Sequence, residues 1–386
     1  MNVSKRLQGV EEYYFSKKLR EVEEMNKQGK NVLNLGIGSP DLPPHPEVIK
    51  ELNERSLEPN LHGYQGYKGL PVLRNAMSEW YKKWYNVELN PNSEILPLMG
   101  SKEGIMHICM TYLDEGDIAL VPNPGYPTYA SNIKLTGAKA LTYNLNEENS
   151  WLPDFAEIEK NDLSKVKLFF VNYTQMPTGK AASKELFEQI ISFTKKHNIL
   201  VVHDNPYSFI LNDQPLSILS VVGAKDVAIE LNSLSKSHNM AGWRIGMMLG
   251  NAQRIEEVLR FKSNMDSGMF APLQYAAAKA LTLGKEWHDQ MNAVYHTRRT
   301  KVYELLDLLE CSYDKTQTGL FIWAKIPDAY NDCYQIADDV LYQSNVFITP
   351  GGIFGSQGNR YIRISLCGNE QRFDESISRI KKSKLN

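Results

Sequence analysis

Residues 199–236 read ILVVHDNPYSFILNDQPLSILSVVGAKDVAIELNSLSK. Two short runs within this stretch, 199–203 and 227–231, are largely apolar and do not alternate with polar residues. Such runs suit strands of a parallel sheet buried by helices on both faces. The segment just before them, Lys184–His197, reads as a helix. Further toward the N-terminus, apolar runs recur at 95–98, 118–121 and 168–171, and residues 256–261 begin another helix on the far side. Strands alternating with helices predict an α/β doubly wound fold with a mostly parallel sheet. In such sheets ligands collect at the carboxyl ends of the strands. Asp204 and Lys236, just past the two runs, are therefore the residues to weigh first.

The texture changes after about residue 290. A long helix over 287–309 is followed by FIWAKI, VFITPGGIFG and YIRISL, which predict a smaller α+β domain. The first 30 residues read as one long polar helix or arm ending near Gly29, able to join that domain. The expected division is a large domain over 46–290 and a small one built from 1–45 plus 291–386.

Composition excludes several classes. The chain has 386 residues, with 43 basic against 45 acidic side chains and a net charge of −2. That balance offers no bulk attraction to nucleic acid or acidic membranes. No apolar run approaches membrane-spanning length, and the first 30 residues lack a secretory apolar core. Cys109, Cys311, Cys333 and Cys367 are scattered without a CxxC pair, which fits a reducing interior. A cytoplasmic protein is expected. The eight histidines show no metal-ligand spacing, so no metal is expected.

The polar residues after the strands form a constellation. Lys236 sits in Ser233-Leu234-Ser235-Lys236-Ser237-His238-Asn239-Met240-Ala241-Gly242-Trp243-Arg244-Ile245-Gly246. A lysine just past an apolar strand can reach into a site, and a neighbouring cation lowers its pKa toward the free amine needed for imine formation. Asp204, followed by Asn205-Pro206-Tyr207, puts a carboxylate where it could keep a heterocycle's ring nitrogen protonated. Gly100-Ser101-Lys102 follows the strand 95–98 and opens a helix over 103–113. Free amides at a helix N-terminus make an anion site, to which Ser233 and Arg244 add a hydroxyl and a planar fork. In Tyr361-Ile362-Arg363-Ile364-Ser365-Leu366, alternation sets Tyr361, Arg363 and Ser365 on one strand face. An arginine fork there can grip a carboxylate with two hydrogen bonds.

The lysine string resembles the signature of the class I/II pyridoxal-phosphate-dependent aminotransferases, with a hydroxyl residue, Lys, and Arg eight positions later before Ile-Gly. The resemblance runs from about Asn34 to Leu366 and implies an aspartate aminotransferase-like fold. It implies pyridoxal 5'-phosphate as cofactor and Lys236 as its Schiff-base lysine. It makes Asp204 the partner of the ring nitrogen and Tyr207 that of the ring hydroxyl. Ser101, Lys102, Ser233 and Arg244 take the phosphate, and Tyr126 stacks on the ring. Arg363 holds the substrate α-carboxylate, with Gly38 and Asn172 close to the substrate. Tyr64, in HGYQGYKGLPVLR, corresponds to a tyrosine lent across a homodimer interface to the partner's phosphate. Tyr129 is read as packing. The reaction implied moves an amino group from an L-amino acid to a 2-oxo acid in a ping-pong cycle.

One position departs from the family. Where Asn-Pro-Thr-Gly is usual, this chain has Met176-Pro177-Thr178-Gly179. Methionine cannot donate a hydrogen bond to the ring's phenolic oxygen. Either Tyr207 serves that oxygen alone, or Gln175 or Asn172 reaches across.

Rival motifs fail. Ser233-Leu234-Ser235-Lys236 spells S-x-x-K, but the K-T-G and S-D-N strings of serine acyl enzymes are missing. Gly36-Ile37-Gly38 lacks the third glycine of a dinucleotide fingerprint. A regulator built on the same fold would need a DNA-binding domain, which 30 residues cannot supply. Carbon–sulfur lyases and decarboxylating or cyclising enzymes share the cofactor hardware and stay open. The strings around Ser101 and Lys236 most resemble the LL-diaminopimelate aminotransferase-like branch, which also holds aspartate, alanine and aromatic aminotransferases.

Overall fold

The computed structural model describes residues 3–7 and 14–383. Thirteen strands organise these residues, in chain order: β1 (Leu33–Asn34), β2 (Ile95–Leu98), β3 (Ile118–Asn123), β4 (Lys139–Asn144), β5 (Val166–Val171), β6 (Leu200–Asp204), β7 (Ala228–Ser233), β8 (Gly246–Leu249), β9 (Ser312–Tyr313), β10 (Phe321–Lys325), β11 (Val346–Phe347), β12 (Thr349–Pro350) and β13 (Tyr361–Ser365). Seven of them form the central sheet in the order β2-β8-β7-β6-β5-β3-β4. All are parallel except β8, which runs antiparallel to both its neighbours. β5, β6 and β7 are buried almost throughout, as their unalternating sequence requires.

Helices cover both faces. One core packs Trp80, Tyr81, Phe169, Phe187 and Val201 together, and the other packs Ile105, Ile108, Leu168, Phe170 and Leu231. The helix Lys184–His197 lies where its sequence indicated, capped by Ser183 accepting from the Leu186 amide. The helix expected from residue 256 starts earlier, at Ala252, because Asn251 caps it through the Arg254 amide. Under the sheet, Glu230 is buried and accepts from Tyr81 Oη, Ser217 Oγ and the Ile218 amide. That network fastens β7 to the chain crossing beneath it and fixes the strand that delivers Lys236.

A second sheet of four antiparallel strands, β12-β13-β10-β9, packs beside the helices Lys285–Leu308, Cys333–Ser344 and Glu370–Lys382. The N-terminal segment joins this part of the chain, since β1 pairs parallel with β11, Leu33 opposite Val346. Of the expected N-terminal helix, Tyr14–Lys27 is helical and Lys5–Leu7 is a 3-10 turn, while 1–2 and 8–13 lie outside the described residues. Gly29, at φ 82°, takes the left-handed turn that ends it. All four cysteines are buried free thiols. No helix among the described residues is long and apolar enough to cross a membrane.

Candidate active site

A cavity of about 490 Å³ opens at the carboxyl ends of β6 and β7, and the four-stranded sheet supplies part of its wall. It gathers Ser101, Lys102, Tyr126, Asn172, Asp204, Tyr207, Ser233, Lys236, Arg244, Arg363 and Gly38 into one lining. Of the residues given a cofactor or substrate role by the resemblance, Tyr64 alone lies elsewhere. It is 94% exposed on the loop before the helix Pro71–Tyr85 and does not line the cavity of its own chain.

Lys236 lies on one helical turn, Leu234–Ser237, which Ser233 caps through the Ser235 amide. Its ammonium donates to the Gly38 carbonyl. Burial lowers its pKa against the opposing influence of Cys367, and the positive charges of Arg363 and Arg244 push the same way as burial. Both effects favour the neutral amine that a nucleophile or base needs.

Asp204 ends β6, 5% exposed. Tyr129 Oη donates to its Oδ2 at 2.8 Å, while Oδ1 is buried without a partner. Burial pushes the carboxyl up to about 6, against the pull of the Tyr129 hydrogen bond and the nearby His203. Tyr129, read from the sequence as packing, does pack, stacked on Phe170 at 5.0 Å, yet it also holds the site's carboxylate. The signal for this was the second tyrosine of the loop 122–129, three residues beyond Tyr126.

Gly100, at φ 88°, precedes the helix Ser101–Tyr112, whose N-terminus carries no side-chain cap. A Cβ at Gly100 would meet Arg244 Nη2 at 2.1 Å, so the guanidinium lies against bare backbone. Arg244 itself takes a left-handed conformation and donates to the Ala241 carbonyl at 2.9 Å. Ser233 Oγ is 2.8 Å from Ser235 Oγ. Uncapped amides, two hydroxyls and a guanidinium in one corner form an anion cradle.

Arg363, on β13, is 6% exposed. Its guanidinium lies 3.9 Å from the Phe321 ring centroid and 4.6 Å from that of Phe354, a stacked setting suited to arginine. Nη2 donates to the Gly36 carbonyl at 2.9 Å, and Nη1 lies 3.3 Å from Met176 Sδ. The polar neighbours of Met176 are engaged elsewhere. Asn172 donates to the Asp204 carbonyl at 2.6 Å and accepts from the Met176 amide at 2.8 Å. Gln175 donates to the Pro124 carbonyl at 3.0 Å and accepts from the Thr178 amide. Asn172 and Gln175 thus both have hydrogen-bond partners within the protein.

A buried, half-satisfied carboxylate, a lysine of lowered pKa and an anion cradle in one cavity are a donor set that fits a phosphorylated, protonatable heterocycle. The chain belongs to the aminotransferase class I and II family, whose family model matches residues 30–380. Members of that family depend on pyridoxal 5'-phosphate and transfer an amino group from an amino acid to a 2-oxo acid in a ping-pong cycle. Among relatives, the LL-diaminopimelate aminotransferase of Dehalococcoides mccartyi is 42% identical over 382 residues, 98% of either chain. The transaminase BacF of Bacillus subtilis is 39% identical over 373 residues, 96% of this chain and 94% of that one. The substrate-bound BacF structure superposes with a TM-score of 0.93 at 38% identity, covering 99% and 98% of the two chains. The expected fold and enzyme class are thus borne out, and the sequence falls with the LL-diaminopimelate aminotransferase branch.

Proposed function

We propose that this aminotransferase carries pyridoxal 5'-phosphate on Lys236 and works as a cytoplasmic homodimer in which Tyr64 reaches the partner's phosphate site. The observation that carries the reading is the meeting of Lys236, Asp204 and Arg363 in one cavity. When bound, the cofactor supplies an electron sink for the pair of electrons left when the substrate's Cα proton departs. Asp204 Oδ1, buried and unpartnered, receives the ring N–H, and Tyr129 holds that carboxylate in place. Ser101, Lys102, Ser233 and Arg244 hold the phosphate, Tyr126 covers the ring, and Tyr207 donates to the phenolic oxygen. Arg363 turns from the Gly36 carbonyl to the substrate α-carboxylate, with Gly38 and Asn172 lining the approach. Lys236, its pKa lowered by burial, takes the Cα proton as general base and returns it.

The exposure of Tyr64 on its own chain supports a role in a neighbouring subunit. The apolar core around β10 and β13, drawn mostly from residues after 290, supports a large unit over 46–290 and a small one from 1–45 plus 291–386. The test is turnover by the purified, cofactor-loaded protein with a panel of L-amino acids against 2-oxoglutarate and pyruvate. Parallel double-reciprocal lines are expected, and no amino-group transfer to any acceptor would overturn the reading.

A further inference from the structure

We propose that Arg298, a residue outside the cavity lining, positions the grip on the substrate α-carboxylate by clamping the segment against which Arg363 is set. The inference rests on the aminotransferase reading above and adds a residue which that reading does not use. Residues 35–45 form neither helix nor strand, yet two central groups of the site bond to them. Arg363 donates to the Gly36 carbonyl and Lys236 to the Gly38 carbonyl. Leu35 fastens the near end of the segment. Its amide donates to the Phe347 carbonyl at 2.9 Å, and its carbonyl accepts from the Ser365 amide at 2.8 Å. The far end is held by Arg298, which stands on the helix Lys285–Leu308. Its Nη1 and Nη2 donate to the two carboxylate oxygens of Asp41 at 2.7 and 2.9 Å.

Arg298 also holds the strand that carries Arg363. Nη1 donates to the Leu366 carbonyl at 3.1 Å, one residue past the end of β13. Two stretches of chain, 36–41 and 363–366, thus meet at the Arg363–Gly36 bond and meet again at Arg298. That closed ring sets the spacing between the arginine fork and the backbone it faces. The clamp lies within one chain, with the Arg298 side chain 3% exposed. A two-pronged pairing of guanidinium and carboxylate fixes orientation as well as distance. The segment is closely seated, since a Cβ on Gly38 would meet the Phe321 ring at 2.3 Å and one on Gly36 the Phe347 ring at 2.7 Å. Phe321 is also the ring 3.9 Å from the Arg363 guanidinium. A shift of the segment therefore reaches that guanidinium twice, through its carbonyl partner and through its stacking ring. The next hold along the chain, the Asn239 side-chain amide on the Pro43 carbonyl at 3.2 Å, is neutral and lies beyond Asp41. A fork already set in place costs less to engage than one the substrate must order. The clamp acts on the carboxylate that every substrate shares.

The experiment uses cofactor-loaded Asp41→Asn, which keeps the shape of a side chain 30% exposed and removes its charge. KM and kcat are measured for each L-amino acid that the wild type turns over, per site counted from the absorbance of bound cofactor. KM should rise by at least about tenfold for every donor alike, with kcat within about threefold of the wild type, because binding common to ground and transition states is what is lost. A clamp that served stability alone would lower the loaded fraction and leave KM per loaded site unchanged, and that result would overturn the proposal. So would a lower KM, a rise confined to one donor, or a loss in kcat alone. Arg298→Lys keeps the positive charge but not the planar fork, and it should raise KM in the same uniform way. Because both residues act through one contact, KM of the double variant should not exceed that of the worse single variant, and multiplying effects would contradict the clamp. Absence of turnover in the wild type would instead count against the aminotransferase reading itself.

Discussion

The substitution Asp204→Asn keeps the shape of a side chain that is 5% exposed and bonded to Tyr129, but it removes a titrating group. Burial holds that carboxyl at about 6, against an ordinary 3.8. Between those two pH values the folded, cofactor-free protein keeps a proton that the unfolded chain has released. Stability contributed at this position therefore falls as pH rises through the window and stays low above it. At about 1.4 kcal/mol per pH unit the full loss is about 3 kcal/mol, of which about 1 has already gone by pH ~4.5. Asparagine has no such loss. Urea unfolding of both cofactor-free proteins should show their difference moving by about 2 kcal/mol in favour of asparagine between pH ~4.5 and pH ~8. Comparing the change with pH cancels any fixed packing difference between the two side chains. In the loaded protein the order should reverse, because the carboxylate then has a cationic partner. A difference that is flat in pH, or that moves toward the wild type as pH rises, would refute the argument that Asp204 is a buried acid held ready for a cation.

Arg363→Ala should weaken every amino-acid and oxo-acid substrate alike. The loss in kcat/KM should be several kcal/mol, given about 1.5–3 kcal/mol per charge-assisted hydrogen bond, and a loss confined to one substrate class would make Arg363 a side-chain selector instead. Met176→Asn should lower the pH midpoint of the loaded protein's visible band by about one unit, because it restores a donor to the phenolic oxygen. Coincident midpoints would mean that another donor already serves there.

Much of this architecture was legible because burial on both faces leaves an unmistakable pattern. β5, β6 and β7 read as unalternating apolar runs, and the residues after them fell into one cavity. β4 was missed because it lies at the sheet edge with its residues mostly exposed, so its sequence lacks that pattern. β8 was hidden for another reason. Its four residues begin inside the lysine motif at Gly246, and their reversed direction depends on pairing with β2 and β7, which no local pattern reveals. The site shows the same division. Lys236, Asp204 and Arg363 follow from strand ends and motif spacing. Tyr129 reaches Asp204 across 75 positions of sequence, and the Gly36 and Gly38 carbonyls accept from the side chains of Arg363 and Lys236, far along the chain. Spacing carries no trace of contacts that only the folded chain creates.

The central claim is that Lys236 forms the covalent bond to the cofactor. Borohydride reduction of the loaded wild-type protein, followed by peptide mapping, tests it most directly. The adduct should lie on Lys236, and Lys236→Ala should lose both the visible band and turnover. An adduct on any other lysine, or an unchanged visible band in Lys236→Ala, would contradict the account.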